Sequence, residues 1–392
     1  MTSLPLLLLS MCTVAAANME TPWVYGEGLA WGPGFWGGLK DWELCRKGML
    51  QSPIDIPPDR LLFDPGLRPI HIDRVTVASE LVNTGQMPRV RIGNSQKRPP
   101  ANLSGGPLNN YRYRTCAHRT TKKGQGSKSK DQRSTSRFRI QRIDIHYGRE
   151  ETAGNGSEHA IDGKKFPMEL QLLAFNHDLY ENFSMAYRSP NGIAGIAVLV
   201  EIGPETNEEL LKLTVATASI QSKGKRVELA DLKPWALLPY TRDFVTYQGS
   251  MTSPGCEETV TWIVVNQPIH IRADDLVEWA KLRNDFGTEE LPTFQGPNSR
   301  PLQSHNKRLL RTNIQHKTTN VGFAPRTTTL DNAKECKLPL ARLTYKSNVG
   351  GSAVTSRSIP APFKIPAQTK SKTHKKRHTA HKQIDHDADL FL

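Results

Sequence analysis

From Gln51 to about Ala280, apolar and polar residues alternate in short runs broken by Pro, Gly and Asn. Examples are Val75-Thr-Val-Ala, Arg89-Val-Arg-Ile, Arg142-Ile-Asp-Ile-His and Thr259-Val-Thr-Trp-Ile-Val-Val. Period-two alternation sends successive side chains to opposite faces of a strand, so the body is predicted to be mainly β with a few short helices. Helical spacing is confined to Asp274-Asp-Leu-Val-Glu-Trp-Ala-Lys-Leu, where acids open the segment and Leu276, Trp279, Ala280 and Leu282 share a face. A shorter helical candidate is Val227-Glu-Leu-Ala-Asp-Leu. Residues 19–50 carry Trp23, Trp31, Trp36 and Trp42 among many glycines and read as an aromatic wrap without periodicity. Residues 109–137 contain a Lys- and Ser-rich stretch with almost nothing apolar to offset the entropy of ordering, which predicts a disordered basic loop. Periodicity also fades from about Val321, and residues 316–392 are expected to be a basic disordered tail rather than a second domain.

Charge sharpens this division. The 392 residues carry a formal charge of +14, which taken whole suggests a nucleic-acid binder. Residues 111–142, however, hold 11 basic residues against one acid, and residues 301–392 hold 17 against five. What remains is mildly acidic, so the body is not a basic protein. With 37% hydrophobic residues a real core is available, and wholly disordered or collagen-like classes are excluded.

Residues 1–17 form an apolar run ending in Val-Ala-Ala-Ala, which reads as a signal peptide cleaved near Ala17. No later stretch approaches the ~18 apolar residues of a membrane span, so no transmembrane segment is expected and the mature protein should be secreted. Three sequons, at Asn102, Asn155 and Asn182, agree with that route and accept glycans if exposed. Beyond the leader four cysteines remain, Cys45, Cys116, Cys256 and Cys336, which allow three full pairings. Without a Cys-x-x-Cys spacing, disulfides are favoured over a metal cluster. Nucleic acid is not an expected partner in that compartment.

Several blocks, in order, resemble the α-carbonic anhydrase family: Gln51-Ser-Pro-Ile-Asp-Ile, Ser104-Gly-Gly-Pro-Leu, Ile145-His-Tyr-Gly, Gly156-Ser-Glu-His, Glu169-Leu-Gln-Leu, Gly249-Ser-Met-Thr-Ser-Pro-Gly, Val260-Thr-Trp-Ile-Val and Ser299-Arg-Pro-Leu-Gln. The resemblance spans residues 22–315, interrupted by the insertion at 109–137. It implies one domain built on a large, twisted, mostly antiparallel central sheet with an active-site cone. Family enzymes hold zinc with a His-x-His pair on one strand and a third histidine on its neighbour, because residues i and i+2 share a face. The matching positions here are Asp144, His146 and Gln171. One histidine, one carboxylate and one amide make a poor set, since three neutral imidazoles are what leave zinc charge enough to bring its water to a pKa of about 7.

Other matching positions point the same way. Gln86 stands at the proton-shuttle position and cannot relay protons near neutral pH. Thr252 and Glu158 resemble the pair that orients a zinc hydroxide, and Glu169 resembles the carboxylate behind a zinc histidine; with an incompetent metal set they are expected to survive as structural hydrogen-bond partners. The combination looks like the secreted carbonic anhydrase-related proteins, types X and XI. That likeness implies a catalytically inactive binding glycoprotein without a cofactor, a neurexin-like receptor as partner, and a Cys45–Cys256 disulfide, leaving Cys116 and Cys336 to pair together or stay free. The alternative is a zinc-dependent carbonate dehydratase using the unusual Asp144, His146, Gln171 set. The basic loop and tail are candidate sites for anionic glycans such as heparan sulfate.

Overall fold

The computed structural model describes residues 23–26, 28–93, 98–108, 137–149, 154–284 and 293–314. The leader, Cys116, Cys336, nearly all of the basic insertion and the tail lie outside the described residues. The alternating runs become strands β1 (Asp55–Ile56), β2 (Leu61–Phe63), β3 (Arg68–Ile72), β4 (Val77–Asn83), β5 (Pro88–Ile92), β6 (Asn102–Gly106), β7 (Phe138–Tyr147) and β8 (Ala160–Ile161). They continue as β9 (Met168–Asn176), β10 (Ile193–Ile202), β11 (Arg226–Leu232), β12 (Phe244–Gly249), β13 (Val260–Val265), β14 (Ile269–Ile271) and β15 (Leu310–Thr312). The helices are short: α1 (Pro33–Trp36), α2 (Leu44–Lys47), α3 (Phe183–Tyr187), α4 (Glu208–Ala216) and α5 (Ala273–Ala280).

One large sheet runs in the order β11-β4-β5-β7-β9-β10-β13-β12-β15-β2, with β3, β6 and β14 joined at its margins. Most neighbours are antiparallel, and the parallel pairs in this sheet are β10–β13, β10–β14 and β15–β2 among the described residues. The mainly-β, large-sheet expectation therefore holds. Central strands are covered on both sides, which is why β9 is buried along its whole length. Ile143, Ile145, Leu170 and Leu172 pack toward α4 and α5, whose Leu213 and Trp279 belong to the same apolar layer. Leu173, Ala197, Tyr247 and Trp262 pack on the opposite layer. Each large side chain fully buried in this way contributes about 1.5–3 kcal/mol.

Helix α5 forms where the spacing placed it, with Asp274 and Asp275 in its first turn and Leu276 and Trp279 buried. The Val227–Leu232 candidate is corrected: those residues lie in strand β11, paired antiparallel with β4. Their alternate exposure, with Val227 and Leu229 packed against the core, follows from period two over a stretch too short to separate from a helical stripe. Helix α4 went unread although its signal was present: Asn207 caps it by accepting from the amides of Glu209 and Leu210.

The aromatic wrap is anchored by Trp36, fully buried and in edge-to-face contact with Trp23 and Tyr25 at 5.6 Å each. Cys45 and Cys256 form a disulfide, and the buried Arg300 donates to the carbonyls of Cys45 and Ser52 and to Gln51 Oε1. Both tie the wrap to loops far along the chain.

Candidate functional site

The pairing register of β7 and β9 builds the centre. Asp144 stands opposite Gln171 and His146 opposite Glu169. Arg89 of β5 stands opposite Asp144 from the other side. Alternation puts Arg142, Asp144 and His146 on one face of β7, and all of them are buried. The register thus places Asp144, His146 and Gln171, the positions taken from the family resemblance, next to one another.

Asp144 is already engaged. Arg89 grips it with Nε at 2.6 Å from Oδ1 and Nη2 at 3.3 Å from Oδ2, and Arg142 Nε approaches Oδ2 at 3.3 Å. Burial pushes the Asp144 carboxyl up, but Arg142 and Arg89 outweigh it and hold the group below the usual carboxylate range. Both carboxylate oxygens therefore face guanidinium cations. Gln171 is engaged as well: its Nε2 donates to Glu169 Oε1 at 3.0 Å and its Oε1 accepts from Thr252 Oγ1 at 3.3 Å.

His146 donates from Nδ1 to the Asn298 carbonyl at 2.8 Å, with the tautomer assigned from that acceptor. Asn298 is fixed in turn by bonds to the backbone of Ile145 and Tyr147. The remaining His146 nitrogen, Nε2, is buried without a hydrogen-bond partner. Burial lowers the pKa of His146, which favours the neutral ring. Tyr25 stands edge-on to it at 5.7 Å, and the Tyr25 hydroxyl is also unpartnered.

Glu158 and Thr252 do not pair. Glu158 Oε2 accepts from the Arg300 amide at 2.9 Å, and its Oε1 lies 3.2 Å from His146 Nδ1. Burial, reinforced by the nearby Glu169 carboxylate, raises the Glu158 pKa well above the ordinary value. The Thr252 hydroxyl is turned to Gln171 instead, so each of the two residues makes hydrogen bonds of its own within the domain. Gln86 lies half-buried in the turn between β4 and β5, and no hydrogen bond among the described residues joins its side chain to the centre.

Besides accepting from Gln171, Glu169 anchors a second residue. Its two oxygens hold the backbone amide and Nδ1 of His159, each at 2.8 Å; His159 Nε2 meets the Tyr247 hydroxyl at 2.7 Å, and Tyr247 meets Ser52 Oγ at 2.9 Å. This buried chain is fully bonded and locks the strands behind the centre. His159, Tyr247, Ser52, Arg89 and Arg142 were missed as site residues in the sequence. For Arg142 the signal was available, since the i, i+2 rule that grouped Asp144 with His146 also groups Arg142 with Asp144.

Zinc does not fit this set. Of the three donors only His146 Nε2 is open; Asp144 is neutralised by two cations that would repel a dication, and Gln171 offers an amide oxygen already accepting a hydrogen bond. No group of three or more His, Cys, Asp and Glu side chains is arranged for a metal ion among the described residues. As for the sequons, Asn155 and Asn182 are exposed, whereas Asn102 lies in β6 with its amide donating to Asp73 at 2.9 Å, and a glycan there would displace that bond. No helix among the described residues is long and apolar enough to cross a membrane.

Residues 31–128 and 116–314 match the eukaryotic-type carbonic anhydrase family, in two segments that overlap within the basic insertion. Carbonic anhydrase-like protein 1 of Caenorhabditis elegans is 43% identical over 365 residues, covering 77% of this chain and 92% of the relative. Carbonic anhydrase-like protein 2 of the same organism is 40% identical over 334 residues, covering 84% and 89%.

Proposed function

The chain belongs to the eukaryotic-type carbonic anhydrase family, and from that membership we propose that it is a secreted, non-catalytic binding glycoprotein. In this reading residues 22–315 form the family domain, and residues 109–137 and 316–392 are basic additions to it. The observation that carries the proposal is the clamping of Asp144 by Arg89 and Arg142, which puts a closed ion triad where the family places a metal ligand. Secretion is supported by the apolar leader, the exposed sequons and the Cys45–Cys256 bridge, since such bridges persist in oxidising compartments.

The test is metal content and carbon dioxide hydration of the purified protein. The expected result is well under about one zinc per ten chains and hydration at buffer background, given how far the donors stand from catalytic zinc sets. Hydration well above background overturns the proposal and favours the dehydratase reading, for which the open His146 Nε2 is the supporting feature. From the sequence alone, Asp144→His with Gln171→His should restore zinc binding. The triad adds a requirement: that double variant strands two buried guanidiniums beside the metal, so zinc uptake is expected to stay weak until Arg89→Asn is added, with turnover slow because Gln86 relays no proton.

The family likeness makes an extracellular receptor of neurexin type the proposed partner. Anionic glycans are proposed for the basic insertion and tail, both rich in Lys and Arg. A form lacking residues 316–392 is expected to elute from heparin resin at lower salt than the intact chain; identical elution counts against a glycan role for the tail.

A further inference from the structure

Strand β7 carries one residue too many for its pairing with β9. The register passes from Ile140 opposite Ala174 to Arg142 opposite Leu173, so Gln141 is the extra residue of a β-bulge. In a regular strand Arg139 and Arg142, three apart, would project from opposite faces; the bulge returns both to one face. There, with Arg89 and Arg91 of β5 and the rings of Phe175 and Phe183, they line a cavity of about 220 Å³.

The charge in this cavity is not balanced from within. Arg91 and Arg142 are register partners across β5 and β7, and like charges directly opposite destabilise a sheet. Asp144 serves Arg89 and Arg142, and Glu80 lies 3.3 Å from Arg91. Arg139 pairs with no carboxylate among the described residues, and its buried Nε, like that of Arg142, makes no hydrogen bond. Neither Asp144 nor Glu80 lines the cavity, whose wall carries a single acid, Glu181, among the described residues. The guanidiniums are nevertheless held in place: Arg142 lies over Phe183 at 4.9 Å and Arg139 over Phe175 at 5.9 Å.

We propose that this cavity binds a small oxyanion, a carboxylate or phosphate, carried on an apolar or aromatic body. Planar guanidinium forks with free N–H groups match the paired oxygens of such anions, and the two phenyl rings supply an apolar wall for the rest of the molecule. The volume limits the ligand to a small molecule. Arg91 and Arg139 stand outside the Asp144 triad, so the inference does not depend on whether the centre is catalytic.

Phenyl phosphate is a suitable probe for calorimetric titration of the intact protein, with neutral benzyl alcohol as the control. One saturable site is expected, weakened at least about tenfold in Arg139→Gln and weakened as sodium chloride is raised, with no binding of benzyl alcohol. Arg91→Gln, at a half-exposed side chain, is the second variant and should also weaken binding, and thermal melts of both variants report whether each is folded. No saturable binding at millimolar phenyl phosphate, or unchanged affinity in a folded variant of either arginine, overturns the proposal.

Discussion

Asp144→Ala is expected to lower folding stability by about 3–5 kcal/mol in urea titration, the range for breaking a buried ion cluster by removing one partner. The reason lies in what remains. Arg142 is buried and Arg89 largely covered beside that carboxylate, and without it two cations face each other in a poorly solvated region. Burial first and the Arg89 charge second lower the Arg142 pKa, and the Asp144 charge is the largest influence opposing them. Asp144→Asn keeps the shape and removes the charge, so it separates electrostatics from packing. The pH dependence has a definite sign. Because the folded carboxyl pKa lies below the unfolded value of about 3.9, the stabilisation is complete above that value and is lost as the pH falls through the folded one. The gap between the wild type and Asp144→Asn is therefore expected to be wide at neutral pH and to close only in acid. A variant as stable as the wild type at pH 7 would show that the triad is not what holds this part of the sheet.

Removing the Cys45–Cys256 bridge should have an effect of similar size by a different route. The bridge joins residues 211 apart, and closing so long a loop restricts the unfolded chain by about 5 kcal/mol in the chain-entropy model, with measured losses for native bridges of about 2–5 kcal/mol. Cys45→Ala with Cys256→Ala is the cleaner test, because it leaves no free thiol. The folded structure around it is expected to persist, since Arg300 independently donates to the Cys45 carbonyl and the Trp36 group packs without the sulfurs. Near-ultraviolet dichroism unchanged in the double variant, with a lower urea midpoint, is the expected signature. An unchanged midpoint would mean that the unfolded chain is already compact at this point.

Much of the sheet could be read from alternation because many strands have one face distinct from the other. Where that contrast disappears the reading weakens. Strand β9 is buried on both faces and shows little period, and it was placed by family resemblance rather than by pattern. Strand β11 failed for the opposite reason: six residues with charges between apolar positions fit either period, and only its pairing with β4 decides. In the centre, the convergence of Asp144, His146 and Gln171 was legible from strand spacing and the family motif. The occupation of Asp144 by Arg89 was not, because it depends on which residue of β5 stands opposite, and register across separate strands is not written in either strand alone. The same holds for Thr252, whose partner was chosen by the amide that happens to lie nearby.

The bulge at Gln141 has one more consequence, for how this strand can change under selection. On its C-terminal side, residues 142–144 pair with β5 and residues 142–147 with β9. On its N-terminal side, Phe138 and Arg139 take their phase from β6 and from the far end of β9. A single strand thus contains two halves whose pairing partners differ, joined by one residue that pairs with neither neighbour. Deleting Gln141 would leave Arg139 two positions before Arg142 and opposite the same residues of β9, so both the cavity and the Asp144 triad should survive it, whereas keeping Gln141 and straightening the strand would turn Arg139 to the other face.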